Sequence, residues 1–140
     1  MASHIDMLAG DYDAAVRSNI SGILQDAAFE HEIDETETLY HTYKLHNHNM
    51  LCWAAMFAGD FEAAITHAQQ PLLKWSSSSF FDFLLFFLDG FVAAPWHVLV
   101  RFGKWQEIID RPITTDVKRF CVCATTGYYA KGIAHAVLGH

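Results

Sequence analysis

An all-α chain of antiparallel helix-turn-helix repeats is the fold this sequence predicts, and three observations predict it. A motif made of an apolar residue, Gly, a polar residue, an aromatic and then a small or aliphatic pair occurs three times, around Gly10-Asp11-Tyr12, Gly59-Asp60-Phe61 and Gly103-Lys104-Trp105. Such a motif ends one helix and begins its antiparallel neighbour. The turn glycines Gly10, Gly59, Gly103 and a last one, Gly139, are 49, 44 and 36 residues apart, in or near the range of two-helix repeats. Between the turns, apolar residues recur at helical spacing, and no stretch alternates as a strand does.

The elements follow in order. Before Gly10 there is room for a helix of about two turns. From Asp11 a second helix carries Val16, Ile20, Ile23, Leu24 and Ala27 inward, with Arg17, Ser21, Gln25 and Asp26 outward. Gly22 within it costs about 1 kcal/mol relative to Ala, a cost that a close helix crossing explains. Glu30, Glu32, Asp34, Glu35 and Glu37 then read as a solvated helix end and loop. Asn47 is the expected N-cap of a third helix through Met50, Leu51, Ala54, Ala55 and Phe57. Asp60 caps a fourth, with Phe61, Ala64, Ile65 and Ala68 inward and Pro71 as its stop. The run from Ser76 to Ser79 links into an apolar helix from Phe80 to Phe91. Pro95 opens a helix with Trp96, Leu99, Val100 and Phe102, and Lys104 to Asp110 is its partner, closed by Arg111-Pro112. A final helix from about Asp116 to Leu138 carries Phe120, Ala124, Tyr128, Ala134 and Val137, with Gly127 and Gly132 permitting close packing. Residues 1–140 make one domain whose first and last repeats are cut short, which predicts a piece of a longer repeat protein.

The turn motifs resemble the tetratricopeptide repeat family, whose turn reads roughly Gly-Asp/Asn-Tyr-x-x-Ala-Ile. Gly10 to Val16 and Gly59 to Ile65 match it closely, and in the third unit Trp105 keeps the aromatic while Ile108 stands where Ala is expected. The resemblance implies a short α-solenoid of stacked helix pairs. It gives Gly10, Tyr12, Ala15, Gly59, Phe61, Ala64, Gly103 and Trp105 packing roles at the turns, and Tyr128 with Gly132 the family's aromatic and Gly of a first helix. It further implies a non-catalytic scaffold whose concave groove receives an extended peptide or a helix of a protein partner.

Composition narrows the function classes. With 52% hydrophobic and 18% charged residues the chain is not a disordered polymer. Sixteen acidic against nine basic residues give a formal charge of −7 without a basic cluster, which argues against nucleic acid and predicts a neutral or basic docking segment on the partner. The uninterrupted apolar run from Phe83 to Leu88 is far short of the ~20 residues of a membrane span and is bracketed by Asp82 and Asp89. That run reads as a buried helix or as a patch for self-association. Three irregular cysteines suit free thiols in the cytoplasm, and no secretory leader is visible.

Nine histidines are the compositional excess. His46 and His48 stand two residues apart, so on a helix they diverge by about 200° and cannot share one metal. His4 with His46, given a carboxylate such as Asp6 or the amide of Asn19, is the sharper candidate for a transition-metal site, with His48 beside it. His31-Glu32 lacks the second His of the zinc-protease helix, since Glu35 stands in its place. Cys52 reads as core, no phosphate loop or nucleophile elbow occurs, and no catalytic residue or cofactor is assigned. The alternatives to a scaffold are therefore a helical metal- or small-molecule-binding domain built on the histidines, or a structural slice of a longer solenoid.

Overall fold

The computed structural model describes residues 2–30, 39–70 and 88–139, which form helices joined by turns and short irregular stretches, with no strand among them. Seven helices are defined among the described residues: α1 (Ala2–Ala9), α2 (Tyr12–Glu30), α3 (Leu39–Ala58), α4 (Phe61–Ala68), α5 (Ala94–Arg101), α6 (Trp105–Asp110) and α7 (Cys121–Leu138). Residues 88–92 are also helical. The chain divides into two compact units, Met1–Gln70 and Pro71–His140. Among the described residues no helix is long and apolar enough to cross a membrane. The linker from Ser76 to Ser79, the stop at Pro71, most of the acidic run and the Phe-rich segment up to Phe87 lie outside the described residues.

In the first unit one local device makes both hairpins. Gly59 has a φ of +83°, a conformation that costs an L side chain roughly 1–2 kcal/mol, and Gly10 shares its sign at +78°. Beyond each Gly, an Asp N–H reaches back five residues to a helix carbonyl, Asp11 to Asp6 at 2.9 Å and Asp60 to Ala55 at 2.9 Å. That is the Schellman closure. The same two aspartates then cap the next helix, Asp11 Oδ1 accepting from the Ala14 N–H at 2.9 Å and Asp60 Oδ1 from the Ala63 N–H at 3.0 Å.

The packing of α2 on α3 differs from the apolar stripe expected of it. Ile20 and Leu24 are exposed, and the buried positions are Ala15 and Asn19. The same face continues at helical spacing to Gly22 and Asp26, where α3 is met. A Cβ on Gly22 would stand 3.4 Å from Asn47 Nδ2, an ordinary contact, so Gly22 lies at the crossing without being required by it. Asp26, expected outward, is half-buried and accepts from the Tyr40 hydroxyl at 2.7 Å and from Asn47 Nδ2 at 2.8 Å. Asn47 is accordingly no N-cap: α3 starts at Leu39, because nothing from Leu39 to His46 breaks a helix, and the amide spends its donor across the crossing. Leu51, Cys52, Ala54 and Ala55 on α3, with Ala64 and Ala68 on α4, form the buried side of the second hairpin.

The second unit repeats the joint with a changed residue. Gly103 has φ +64°, and the Lys104 N–H bonds to the Leu99 carbonyl at 2.9 Å. Lysine offers no oxygen to the following amides, so α6 lacks a side-chain cap and runs six residues. Pro95 sits in the first turn of α5, where its missing N–H costs nothing. Helix α7 begins at Cys121 instead of near Asp116: Asp116 caps a separate turn by accepting from the Arg119 N–H at 3.2 Å. The start of α7 is fixed by Asp89, buried to 2% exposure, whose carboxylate accepts from the Val122 N–H at 2.6 Å and the Cys123 N–H at 3.1 Å. A buried anion there also meets the positive end of the helix dipole. Close packing on α7 falls at Gly127, where a Cβ would meet the Trp96 ring at 3.1 Å and Ile113 at 3.3 Å. At Gly132 a Cβ would meet nothing within 4 Å among the described residues, and Tyr128 is 62% exposed, so the close approach expected of that pair lies one residue before Tyr128.

Two pairs of substitutions test these assignments in chemical denaturation. Gly127→Ala is expected to destabilise by about 1–3 kcal/mol through overpacking against Trp96, whereas Gly132→Ala, at an open helical position, gains up to about 1 kcal/mol. Equal effects at the two glycines contradict the packing described. Asp60→Ala is expected to cost about 1 kcal/mol and Lys104→Asp to gain a comparable amount, each by changing one cap. A destabilising Lys104→Asp removes capping as the reason that α6 is short.

Candidate functional site

Helix α3 gathers the unusual side chains of the first unit. His46 and His48 diverge on it, as their spacing requires, and each finds a histidine on another helix. His46 stacks on His4 of α1, with ring centres 5.4 Å apart and planes 16° from parallel. His48 meets His67 of α4 with Nδ1 to Nδ1 at 2.9 Å. The centres of that second pair are 5.1 Å apart, well beyond the 2.9 Å between the two nitrogens, so the rings extend away from each other on either side of that contact. With the planes 25° from parallel, the rings meet edge to edge in a hydrogen bond and not face to face.

The geometry fixes the protons. Of two facing Nδ1 atoms one must carry hydrogen and the other must be bare, so the His48–His67 pair accepts one positive charge at most while the bond lasts. Burial holds the His67 imidazole below its ordinary value. His46 is also lowered, by burial first and by the charge of His4 second. Cys52 lies one turn beyond His48 on α3, but burial pushes its thiol up to about 12, so it is protonated at neutral pH and is not a nucleophile. Asp6, a suggested third metal ligand, accepts from the Ser18 hydroxyl at 3.1 Å, and Asn19 donates to the Ala15 carbonyl at 2.8 Å. Among the described residues no three His, Cys, Asp or Glu side chains converge as a ligand set. The arrangement is a pair of proton-sensitive clasps, one on each side of α3.

The remaining residues singled out in the sequence have plainer surroundings. Tyr12, just past the first hairpin, stacks on Phe57, just before the second, at 5.2 Å between centres. Ala15 and Ala64 are fully buried, and Phe61 is half-buried. Trp105 lies against Gly103, its Nε1 3.5 Å from where a Cβ would stand, and Ile108 fills with a fully buried aliphatic chain the place where the resemblance calls for Ala. His67 and Asp89 are the residues that the sequence reading passed over. Hairpin register was the available signal for His67, since residues two to three turns either side of Gly59 face each other across antiparallel helices. Asp89 gives no local signal, because the amides it holds are 33 and 34 residues away.

Compared with protein-family models, with curated proteins and with solved structures, the chain matches none.

Acid is expected to loosen the first unit. His46 and His67 hold protons less tightly when folded than when unfolded, so the unfolded chain binds more protons once the pH falls below about 6.5. The contribution is whole above that value and is lost as the pH drops through the lowered values. Denaturation midpoints taken at stepwise lower pH should therefore fall, and the fall should flatten in a His46→Gln, His67→Gln double variant. An equal fall in the double variant takes these imidazoles out of the account.

Proposed function

We propose that the chain is a non-catalytic protein-interaction module of tetratricopeptide-like design, a scaffold of helix pairs whose groove receives an extended or helical segment of a protein partner. The observation that carries this reading is the hairpin joint built three times from one motif, at Gly10, Gly59 and Gly103. Reuse of one joint between amphipathic helices is the construction principle of α-solenoids, and those fold to present extended binding surfaces. Large apolar side chains left outside support it: Ile5, Leu8, Ile20, Leu24 and Phe57 are exposed in the first unit alone.

The formal charge of −7 favours a neutral or basic docking segment. Free Cys52, Cys121 and Cys123 suit a reducing compartment such as the cytoplasm. The alternative of a metal-binding domain on His4, His46 and His48 has two imidazoles at each pair and no third ligand gathered among the described residues, so it is the weaker reading.

Titration of the chain against a peptide library spanning basic, neutral and acidic sequences tests the reading by fluorescence anisotropy. Saturable binding confined to neutral and basic members, weakening severalfold between about 50 and 300 mM salt, is the expected result. No saturable binding by any member, or a preference for acidic members, contradicts it.

A further inference from the structure

A cavity of about 220 Å³ opens in the second unit, with Val92, Trp96, Phe120 and Cys123 as apolar wall and Arg111 and Thr114 as its polar lining. Its size decides what class of molecule fits. An apolar cavity of about 150 Å³ takes up benzene, while pockets for drug-sized ligands begin near 300 Å³. One ring and one small polar group fill the space between these limits.

The polar group is set by Arg111. Its guanidinium carbon lies 5.4 Å from the centre of the Trp96 ring and its charge acts on the Cys123 thiol, and among the described residues its side chain shows no ion pair and no hydrogen bond. Two described carboxylates of the same unit are engaged elsewhere. Asp110, next in the chain, accepts from Gln106 at 3.0 Å, and Asp89 holds the first amides of α7. A stacked guanidinium keeps its N–H edge available in a fork that matches a carboxylate. Among the described residues Arg111 has no carboxylate partner, and it stands as a cation in the lining of an aromatic cavity. The thiol in the wall does not compete for this role. Burial pushes the Cys123 thiol up, and its hydrogen is directed at the Val92 carbonyl.

We propose that this cavity binds a small free carboxylate with a single aromatic or branched aliphatic body, its anion on Arg111 and its body against Trp96 and Phe120. The site belongs to the second unit alone and stands or falls independently of any peptide groove. Gly127 packs so closely on the Trp96 ring that a Cβ there would stand 3.1 Å from it.

Sodium benzoate and neutral benzamide, titrated separately into the full-length chain and followed by NMR at the Trp96 indole and the Cys123 amide, test the proposal. Benzoate should saturate both signals and bind about tenfold or more tightly than benzamide, the scale of a charge-assisted hydrogen-bonded pair. Arg111→Gln, which keeps most of the stem, should bring benzoate down to the benzamide level. Shifts that do not saturate, equal affinity for the two compounds, or benzoate binding unchanged in Arg111→Gln each overturn it. Should that variant fail to fold, the ratio of benzoate to benzamide on the unaltered chain decides the question.

Discussion

Two consecutive residues, a glycine at positive φ and the residue after it, carry the architecture of this chain. At each joint the glycine reverses the backbone, and the next N–H returns to a carbonyl of the helix just ended. A helix end otherwise leaves its last carbonyls to water or to nothing. At Asp11 and Asp60 the same residue then starts the following helix with its carboxylate, so termination and initiation are one event. A connection this short leaves the next helix no course but antiparallel to the last. Lys104 preserves the first half of the device and loses the second, and the helix it introduces is the shortest of the seven.

What the joints bring together is held by small and polar residues as much as by large apolar ones. At the crossing of α2 and α3, Asp26 is met by two donors from α3, the Tyr40 hydroxyl and the Asn47 amide. A half-buried carboxylate without them would oppose the contact. In the second unit Gly127 gives way to Trp96, and the buried charge of Asp89 is balanced by backbone amides. The large apolar side chains displaced from these seams, Ile20 and Leu24 among them, are left on the surface. The exposed apolar surface is thus a consequence of how the helices are joined internally.

The joints were legible in the sequence because their chemistry is local: Gly10, Gly59 and Gly103 each announce a turn, and Asp60 announces a cap; the matching cap at Asp11 is a finding of the structure. The seams were not. Hydrophobicity turned α2 toward Ile20 and Leu24, since a pattern count does not register that Asp26 finds two donors on α3. Asn47 was read as a cap for the same reason, its partner Asp26 lying 21 residues away. The contact of His4 with His46 could be anticipated from antiparallel stacking, whereas the pairing of His48 with His67 needed the register of the hairpin. Asp89 looked like the end of an apolar run, and its partners on α7 are visible only once the chain has folded.

The most direct test of the joints is native-state hydrogen exchange at the amides of Asp11, Asp60 and Lys104. Each follows a glycine, and in an open loop each would exchange at the rate of an unprotected amide. Bonded to Asp6, Ala55 and Leu99 as described, they should instead be protected to the same degree as the helices they close. Exchange at loop rates, beside slow exchange in the preceding helices, would show that these glycines do not form the joint on which the rest depends.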